Sequence, residues 1–275
     1  MSAIALSHRP HGLLRRLRGG SASLTALGIG CFLAVVPTLV ALLLDTRTID
    51  GVNVWLKPIK FMLSTGLFAW TAAWFIGELA TERRQAWPVR IVVWTIVAAT
   101  LFEVGYITLQ GALGERSHFN ESDGLHIALY AAMGVVATLL TATSLLLARE
   151  YRRHADRRLA PAYRLSAYLG LLVTGLLGIA TGAVVSSNQS HAVGGPMQGG
   201  GLPLFGWSYE LGDLRVAHFL AIHAEQLLPL AAVLLVRLAP GRAGQGVLAI
   251  SAAYVALIAL VLVQALATLP FWRLA

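Results

Sequence analysis

Polar side chains interrupt one otherwise apolar segment of the chain, residues 214–236. They are Arg215, His218, His223, Glu225 and Gln226. On a single helix, at about 100° per residue, the five would share an arc of about 160°. Histidine and glutamate can exchange protons, whereas arginine and glutamine can hold an anion or a cofactor. The segment therefore predicts a site in which His223 and Glu225 are catalytic and Arg215 and Gln226 bind a cofactor.

Glu103 is the third catalytic candidate. It shares a polar face with Thr100, Tyr106 and Gln110, because these four residues fall within about 120° of one another on a helix. We expect Glu103 to lie at a depth similar to that of His223. A contact between the two would make a buried charge tolerable, so we predict that they touch.

Lys57 and Lys60 are the only two lysines in the chain, beside nineteen arginines. Pro58 suits the first turn of a helix, so two ammonium groups and a helix N-terminus would point to one place. This arrangement predicts an anion or cofactor site formed by both lysines. The alternative is that they anchor the helix at the membrane surface, with Trp55 in the aromatic belt.

The composition requires a membrane around these residues. Hydrophobic residues make up 57% of the 275 residues, charged residues only 12%, and the mean hydropathy is +0.70. Such a chain has too little polar surface to cover a water-soluble globule. The net charge of +8 does not indicate a nucleic-acid partner, because the arginines are concentrated in short connections between apolar segments. The single cysteine, Cys31, excludes an intramolecular disulfide.

Seven apolar segments are long enough to span a bilayer as helices. Their approximate bounds are 24–44, 58–80, 91–113, 125–148, 165–185, 214–236 and 247–269. The first is too long for a cleaved signal peptide and lacks a cleavage site after it, so we interpret it as a retained helix. The sequence thus predicts an all-α, seven-helix transmembrane bundle, a single domain over residues 1–275.

The arginines orient this bundle. With the N-terminus in the cytoplasm, 15 of the 21 Lys and Arg residues fall on the cytoplasmic side. The positive-inside rule therefore predicts a cytoplasmic N-terminus and an extracytoplasmic C-terminus, in a multi-pass protein of the bacterial inner membrane. The longest connection, residues 186–212, contains neither Lys nor Arg and belongs on the extracytoplasmic side.

Histidines are concentrated on the extracytoplasmic side in this topology. Five of the eight lie there, namely His118, His126, His191, His218 and His223. Together they suggest haem or a transition metal, with His126, His218 and His223 as candidate ligands. The side chains of His218 and His223 point about 140° apart on one helix, so each would need partners from other helices.

Three segments resemble motifs of a family of uncharacterised bacterial polytopic membrane proteins. They are WLKPIKF, SHFN and GDLRVAHFLAIHAEQLLPL, and the resemblance covers about residues 52–229. It implies a helical membrane fold and a bacterial membrane location, but it brings no activity, cofactor or catalytic residue.

Four functions fit these observations. The first, which we favour here, is a redox protein whose haem or metal is held by His218 or His223 with His126, while Lys57, Lys60 and Arg215 hold an anionic group. The second is a proton-coupled transporter or channel with a relay through Glu103, His223 and Glu225, although the cytoplasmic half is predicted to have almost no polar lining. The third is an enzyme that acts on an anionic lipid or a quinone. The fourth is an accessory subunit that binds a partner helix.

Overall fold

The computed structural model describes residues 12–196, 201–203 and 205–273. Its α-helices over these ranges are α1 (Leu13–Gly20), α2 (Ala22–Leu44), α3 (Leu56–Gly77), α4 (Trp87–Leu113), α5 (Gly124–His154), α6 (Pro161–Ser187), α7 (Leu214–Ile222), α8 (Ala224–Leu238) and α9 (Ala243–Leu266). Four two-residue strands are β1 (Thr48–Ile49), β2 (Val52–Asn53), β3 (Ala192–Val193) and β4 (Gly212–Asp213). Short 3-10 helices occupy Thr81–Arg83 and Pro240–Arg242.

The bundle contains seven candidate membrane spans if α7 and α8 are counted as one. The helices α2, α3, α4, α5, α6 and α9 are each long and apolar enough to cross a membrane, and α7 and α8 pass the same test as a pair bent by 57°. The prediction of an all-α helical bundle is therefore confirmed. We call its arginine-rich end, where the positive-inside rule puts the cytoplasm, the inner end, and the opposite one the outer end.

Most spans extend beyond their apolar cores. Helix α5 continues to His154 and α4 begins at Trp87, because polar ends outside the hydrocarbon remain helical once a cap or a proline fixes the start. The Asp123 side chain accepts hydrogen bonds from the backbone N–H of Leu125 and His126 at the start of α5. Local capping chemistry thus moves the helix bounds beyond the hydrophobic windows.

Helix α1 is an additional element that the sequence analysis did not predict. Its Leu17 is buried and its Arg16 lies 3.8 Å over the ring of Trp74 in α3. Gly20 allows the close approach of the two helices, since a Cβ there would lie 1.9 Å from the carbonyl oxygen of Ala73. The basic segment before the first span is therefore a short helix docked on the inner end.

The spans form two groups. Helix α3 packs mainly on α2, with α1 and α4 beside it, whereas α7 and α8 pack on α6 and α9. Helix α5 joins the groups through α4 and α6. Two side-chain hydrogen bonds reach from one group to the other: Lys60 of α3 donates to the Phe205 carbonyl in the connection before α7, and Gln226 of α8 donates to Thr71 of α3.

The outer connection between α6 and α7 is anchored at both ends. Strand β3 pairs antiparallel with β4, so residues 192 and 193 lie beside 213 and 212. The ring of Trp207 makes edge-to-face contacts with Phe219 of α7 and with Phe271 after α9, with ring centroids 5.5 and 5.4 Å apart. The described part of this connection therefore lies over the outer ends of α7 and α9.

Candidate functional site

Lys57, Lys60 and Arg215 lie together at the outer end, as the sequence analysis predicted for each of them. Lys60 Nζ donates a hydrogen bond to the Phe205 carbonyl at 3.0 Å, and Arg215 Nη2 donates one to the Gly206 carbonyl at 2.6 Å. A Cβ on Gly206 would lie 3.5 Å from Lys60 Nζ and 3.9 Å from Arg215 Nη1. Lys57 interacts electrostatically with both of the other cations. We call these three residues the outer cationic cluster.

Asp213 fixes the position of the guanidinium group in this cluster. Arg215 Nε and Nη2 donate to the two carboxylate oxygens of Asp213 at 2.9 and 2.6 Å, an in-plane pairing of the kind that restricts an arginine side chain. Asp213 itself is 1% exposed and also accepts a hydrogen bond from the Ser208 backbone N–H. Asp213 therefore compensates Arg215, whereas neither Lys57 nor Lys60 forms an ion pair with an acidic residue in the described part of the chain.

Two neutral histidines complete the surroundings of this cluster. Burial and the nearby Lys57 lower the pKa of His118 well below its usual range, and burial and Arg215 lower the pKa of His191 to about 4. The ring of His118 lies between Phe61 and Tyr130, with centroids 5.9 and 6.1 Å away. Both histidines were noted in the sequence as outer residues but not as site residues, because loop histidines are usually solvated.

Glu103 lies beneath Lys57, not beside His223. It is 3% exposed, its charged neighbour is Lys57, and its Oε1 has no hydrogen-bond partner within the described residues. The predicted contact between Glu103 and His223 is wrong, because α4 packs against α3 and α5 whereas His223 turns toward Gln226. Thr100 Oγ1 and Gln110 Oε1 on the same face of α4 also lack partners in the described part of the chain.

The span of residues 214–236 is not one helix. It breaks at His223, between α7 and α8, and the two parts meet at 57°. In an unbroken helix the Glu225 N–H would donate to the Ala221 carbonyl. Instead it donates to Thr174 Oγ1 of α6 at 3.1 Å, and that hydroxyl donates to the Ala221 carbonyl at 3.3 Å. A side chain inserted into the hydrogen-bond ladder is a known cause of a kink.

Two further residues stabilise this break. Gly170, one turn from Thr174 on α6, lets the backbones approach, since a Cβ there would lie 2.9 Å from the Ala224 carbonyl oxygen. Pro229 in α8 has no N–H to donate to the Glu225 carbonyl. The single arc of five polar residues predicted from one helix is therefore wrong, since Arg215 and His218 lie on α7 and Glu225 and Gln226 on α8.

Glu225 is held at the break by neutral groups. It is 2% exposed, its Oε2 accepts a hydrogen bond from Ser144 Oγ of α5 at 2.9 Å, and its Oε1 accepts one from Gln226 Nε2 at 3.2 Å. Gln226 Nε2 also donates to Thr71 Oγ1 of α3 at 3.1 Å. No lysine, arginine or histidine forms an ion pair with Glu225 in the ranges that the structure describes. We name these residues the helix-break cluster: Thr71, Ser144, Thr174, His223, Glu225 and Gln226.

The three proposed metal ligands lie apart. His126 contacts Asp123 and Glu115 at 2.7 and 2.9 Å on the outer surface, and His218 Nδ1 lies 3.0 Å from Thr181 Oγ1. His223 Nδ1 lies 3.3 Å from Gln226 Oε1, and its ring packs on Phe219. Within residues 12–196, 201–203 and 205–273, no group of three His, Cys, Asp or Glu residues is arranged to hold a metal ion.

Buried carboxylates at the inner end were missed by the sequence analysis. Glu78, 5% exposed, accepts hydrogen bonds from the Tyr151 and Tyr163 hydroxyls at 2.8 and 3.0 Å. Glu150 is paired with Arg83 at 2.6 Å. Glu78 directly follows α3 and Glu150 lies in the last turns of α5, so both carboxylates mark the inner end of the bundle.

A spacing of seven residues in α3 could have revealed Glu78. Lys57, Ser64, Thr71 and Glu78 follow one another at this interval, which drifts by only about 20° per step on a helix. They form a polar stripe from the outer end of α3 to its inner end, and we call them the α3 stripe. Lys57 belongs to the outer cationic cluster and Thr71 to the helix-break cluster, so the stripe connects both with Glu78.

No family model matches the chain, and no curated protein or solved structure matches it either. The three segments that the sequence analysis singled out nevertheless share one region of the structure. WLKPIKF carries both lysines, SHFN carries His118, and the segment from Gly212 to Leu230 carries Arg215 and the helix break. The geometry of these residues is therefore the basis for the functional conclusion.

Proposed function

We propose that the protein is a proton-coupled transporter of an anionic solute in the bacterial inner membrane. The observation that carries this proposal is Glu225, a carboxyl group buried at the break of a spanning helix, whose hydrogen-bond partners are all neutral. Broken helices line the substrate and ion sites of many transporters, and an isolated ionisable group at this depth is costly to keep without a role.

Glu225 is suited to hold and release a proton. Asp213 and Glu150 are each paired with a permanent cation, Arg215 and Arg83, whereas Glu225 has no such partner in the described residues. Its partners Ser144 and Gln226 can instead hydrogen-bond with either protonation state, because a hydroxyl both donates and accepts and an amide offers both groups. Protonation therefore changes the charge of the site without leaving a partner unsatisfied.

The outer cationic cluster is the proposed entry site for the anion. Lys60 and the oriented guanidinium of Arg215 bind neighbouring carbonyls of one loop, Lys57 interacts electrostatically with both, and Asp213 pairs directly with Arg215. A carboxylate or phosphate group would compensate the remaining positive charge. The neutral His118 and His191 add hydrogen-bonding capacity without further charge.

The α3 stripe supports a path between the two sides. Ser64 and Thr71 lie at half-buried positions between Lys57 and Glu78, and Thr71 is hydrogen-bonded to Gln226 at the helix break. Polar groups thus extend from the outer cluster through the helix break to the inner end. Glu78 thus gives the inner end a polar group, in the half of the bundle for which the sequence predicts almost no polar lining.

The redox hypothesis that the sequence favoured receives no comparable support. His126, His218 and His223 each have a separate protein partner, and His126 lies on the outer surface, away from His218 in α7 and His223 at the end of that helix. The lipid or quinone enzyme of the third hypothesis shares the outer cationic cluster with our proposal. The enzyme hypothesis gives no role, however, to the helix break, which side chains of α3, α5 and α6 stabilise around Glu225.

Proton-coupled flux in liposomes tests this proposal. The purified protein is reconstituted around a pH-sensitive dye, a pH gradient with an acidic outside is imposed, and inorganic phosphate, a monocarboxylate and a dicarboxylate are added in turn. We expect one class of anion to accelerate acidification of the interior. Glu225→Gln, which keeps the size of the side chain, should abolish this acceleration.

Glu121→Gln is the matched control, because Glu121 is an exposed carboxylate in the outer loop. It should behave like the unmodified protein. Two results would overturn the proposal: that none of the anions moves with protons, or that the Glu225→Gln protein couples the two fluxes as well as the control does.

A further inference from the structure

A cleft between α5 and α6 at the inner end lies outside the sites described so far. It has a volume of about 430 Å³. The residues that line it from α5 recur at intervals of four, three and one positions, so they share one face of that helix, and the two from α6 are four positions apart. We call this set the arginine cleft: Leu145, Arg149, Arg152, Arg153, Tyr168 and Leu172.

The three arginines of this cleft carry uncompensated charge. Within the described residues no carboxylate forms an ion pair with any of them, and the neighbouring Glu150 is buried on another face and paired with Arg83. Other arginines of the bundle, such as Arg83 and Arg158, have acidic partners. Three positive charges therefore converge on one space that contains no counter-charge of the described protein.

Tyr168 gives the cleft a defined wall. Arg152 Nη1 donates to the Tyr168 hydroxyl at 3.3 Å, and the guanidinium carbon lies 5.5 Å from the centre of the ring. The contact restrains Arg152 across the gap between the two helices. The tyrosine hydroxyl keeps its own hydrogen for an acceptor in the cleft.

The opposite end of the cleft is apolar. Leu145 and Leu172 lie one turn or more deeper in the bundle than Arg149 and Tyr168, on the same helix faces. A cationic entrance at the membrane surface above an apolar floor matches a phospholipid that joins an anionic phosphate to acyl chains. Free phosphate would use the arginines but not the leucines.

We propose that the arginine cleft binds an anionic phospholipid of the inner leaflet, with its phosphate on Arg149, Arg152 and Arg153 and the first part of its acyl chains on Leu145 and Leu172. Basic pockets between helices on the cytoplasmic side are a recognised form of lipid site. Arginines at the C-terminal end of α5 also interact favourably with the helix dipole and help to orient the protein in the membrane. Neither of these roles requires a cleft or the contact with Tyr168.

Native mass spectrometry of the full-length protein in a nonionic detergent tests this proposal. The protein is titrated with phosphatidylglycerol, with phosphatidylcholine of the same acyl chains, and with inorganic phosphate. We expect phosphatidylglycerol to bind about tenfold or more tightly than phosphatidylcholine, since each basic residue near a membrane surface strengthens anionic binding. Inorganic phosphate should not displace it at equal concentration.

Two variants make the test specific to the cleft. Replacing Arg149, Arg152 and Arg153 together by Gln should remove the preference for phosphatidylglycerol, and Tyr168→Phe, which keeps the ring, should weaken it to a lesser degree. The control replaces three exposed arginines of the inner end that lie outside the cleft, namely Arg157, Arg237 and Arg242.

The outcomes are distinguishable. Retention of the preference by the triple cleft variant, or an equal loss in the control, would overturn the proposal, because the attraction would then come from the overall positive charge. Displacement of the lipid by inorganic phosphate would also overturn it, since the site would then recognise a free anion. If the triple variant does not fold, the Tyr168→Phe protein provides the test. An unchanged preference of this protein for phosphatidylglycerol over phosphatidylcholine then counts against the proposal.

Discussion

Buried acidic residues in this protein fall into two chemical groups. Asp213 and Glu150 each pair with an arginine at 2.6 Å. Glu225 is instead held by hydroxyl and amide groups, and Glu78 by two tyrosine hydroxyls, with Arg16 at 3.6 Å. An ionisable side chain at the centre of a membrane helix costs about 3 kcal/mol. The second group therefore contains the better candidates for proton exchange.

Glu103 is intermediate, because its charged neighbour is Lys57 and one of its oxygens has no partner in the described residues. We predict that Glu103→Gln increases the affinity of the outer cationic cluster for anions about tenfold, since the internal carboxylate no longer competes for the Lys57 ammonium. Thermal-shift titration with inorganic phosphate and with succinate measures this, with Glu121→Gln as the control. Weaker anion binding in Glu103→Gln would mean that Glu103 orients Lys57 and does not compete for it.

His191 makes the stability of the outer end depend on pH. Burial and Arg215 lower its pKa to about 4, against 6.5 for the ordinary side chain. Between these values the unfolded chain binds more protons than the folded one, so stability is complete above about pH 6.5 and is lost as the pH falls toward 4. We predict that His191→Gln, which cannot be protonated, shows a smaller decrease in unfolding temperature between pH 7 and pH 4.5. Parallel curves for the two proteins would contradict this.

The sequence predicted which candidate residues lie at the same depth in the membrane, but not which of them are in contact. Lys57, Lys60 and Arg215 were expected at one end because the topology puts the starts of α3 and α7 there, and the structure brings them together. Glu103 and His223 were matched by depth as well, but depth does not say which helices are neighbours. The partners of Glu103 and His223 depend on how the helices pack, and no local pattern encodes this.

At the scale of elements, the break between α7 and α8 is the feature most specific to this bundle. A straight helix would satisfy the Glu225 N–H and the Ala221 carbonyl within itself. Here Thr174 supplies both hydrogen bonds from α6, and Gly170 makes room for the displaced backbone. The sequence contained Pro229 as a sign of a kink, but the inserted hydroxyl comes from 50 residues earlier in the chain and could not be inferred.

Thr174→Val tests whether α6 maintains the break. Valine fills the same space without the hydroxyl, so two backbone groups lose their partner at a cost of about 1–3 kcal/mol. We predict a lower unfolding temperature together with loss of proton-coupled flux. Thr138→Val is the matched control, because that hydroxyl donates only to the Gly134 carbonyl of its own helix. Equal effects of the two substitutions would show that the hydroxyl of Thr174 has no special role.

The spans themselves were predictable because lipid allows few alternatives to an apolar helix. Helix α1 was not, since it is short and carries Arg15, Arg16 and Arg18. Its helical state depends on tertiary contacts, above all Leu17 in the apolar core and Arg16 over Trp74. Isolated helices of this length are marginal in water, so local sequence alone gives a weak signal.

At the scale of the molecule, α5 joins the two groups of spans, but α3 carries the polar residues that reach across to the second group. The α3 stripe connects the outer cationic cluster, the helix-break cluster and Glu78, so one helix carries polar groups from one end of the bundle to the other. Arg16 of α1 lies 3.6 Å from Glu78 and thus closes the inner end of this row. The apolar residue Leu63 lies about 100° around the same helix from Ser64 and is 42% exposed.

These two sides of α3 should differ in their access to water. In a Cys31→Ser background, which removes the one native thiol, we predict that Ser64→Cys reacts with a membrane-impermeant cationic thiol reagent added from the outside, and that the transported anion slows the reaction. Leu63→Cys is the control, because a thiol that faces lipid remains protonated and does not meet a charged reagent. If Ser64→Cys were as unreactive as Leu63→Cys, water would not reach the stripe from the outer side, and the anion would have to enter the bundle along a route that does not follow α3.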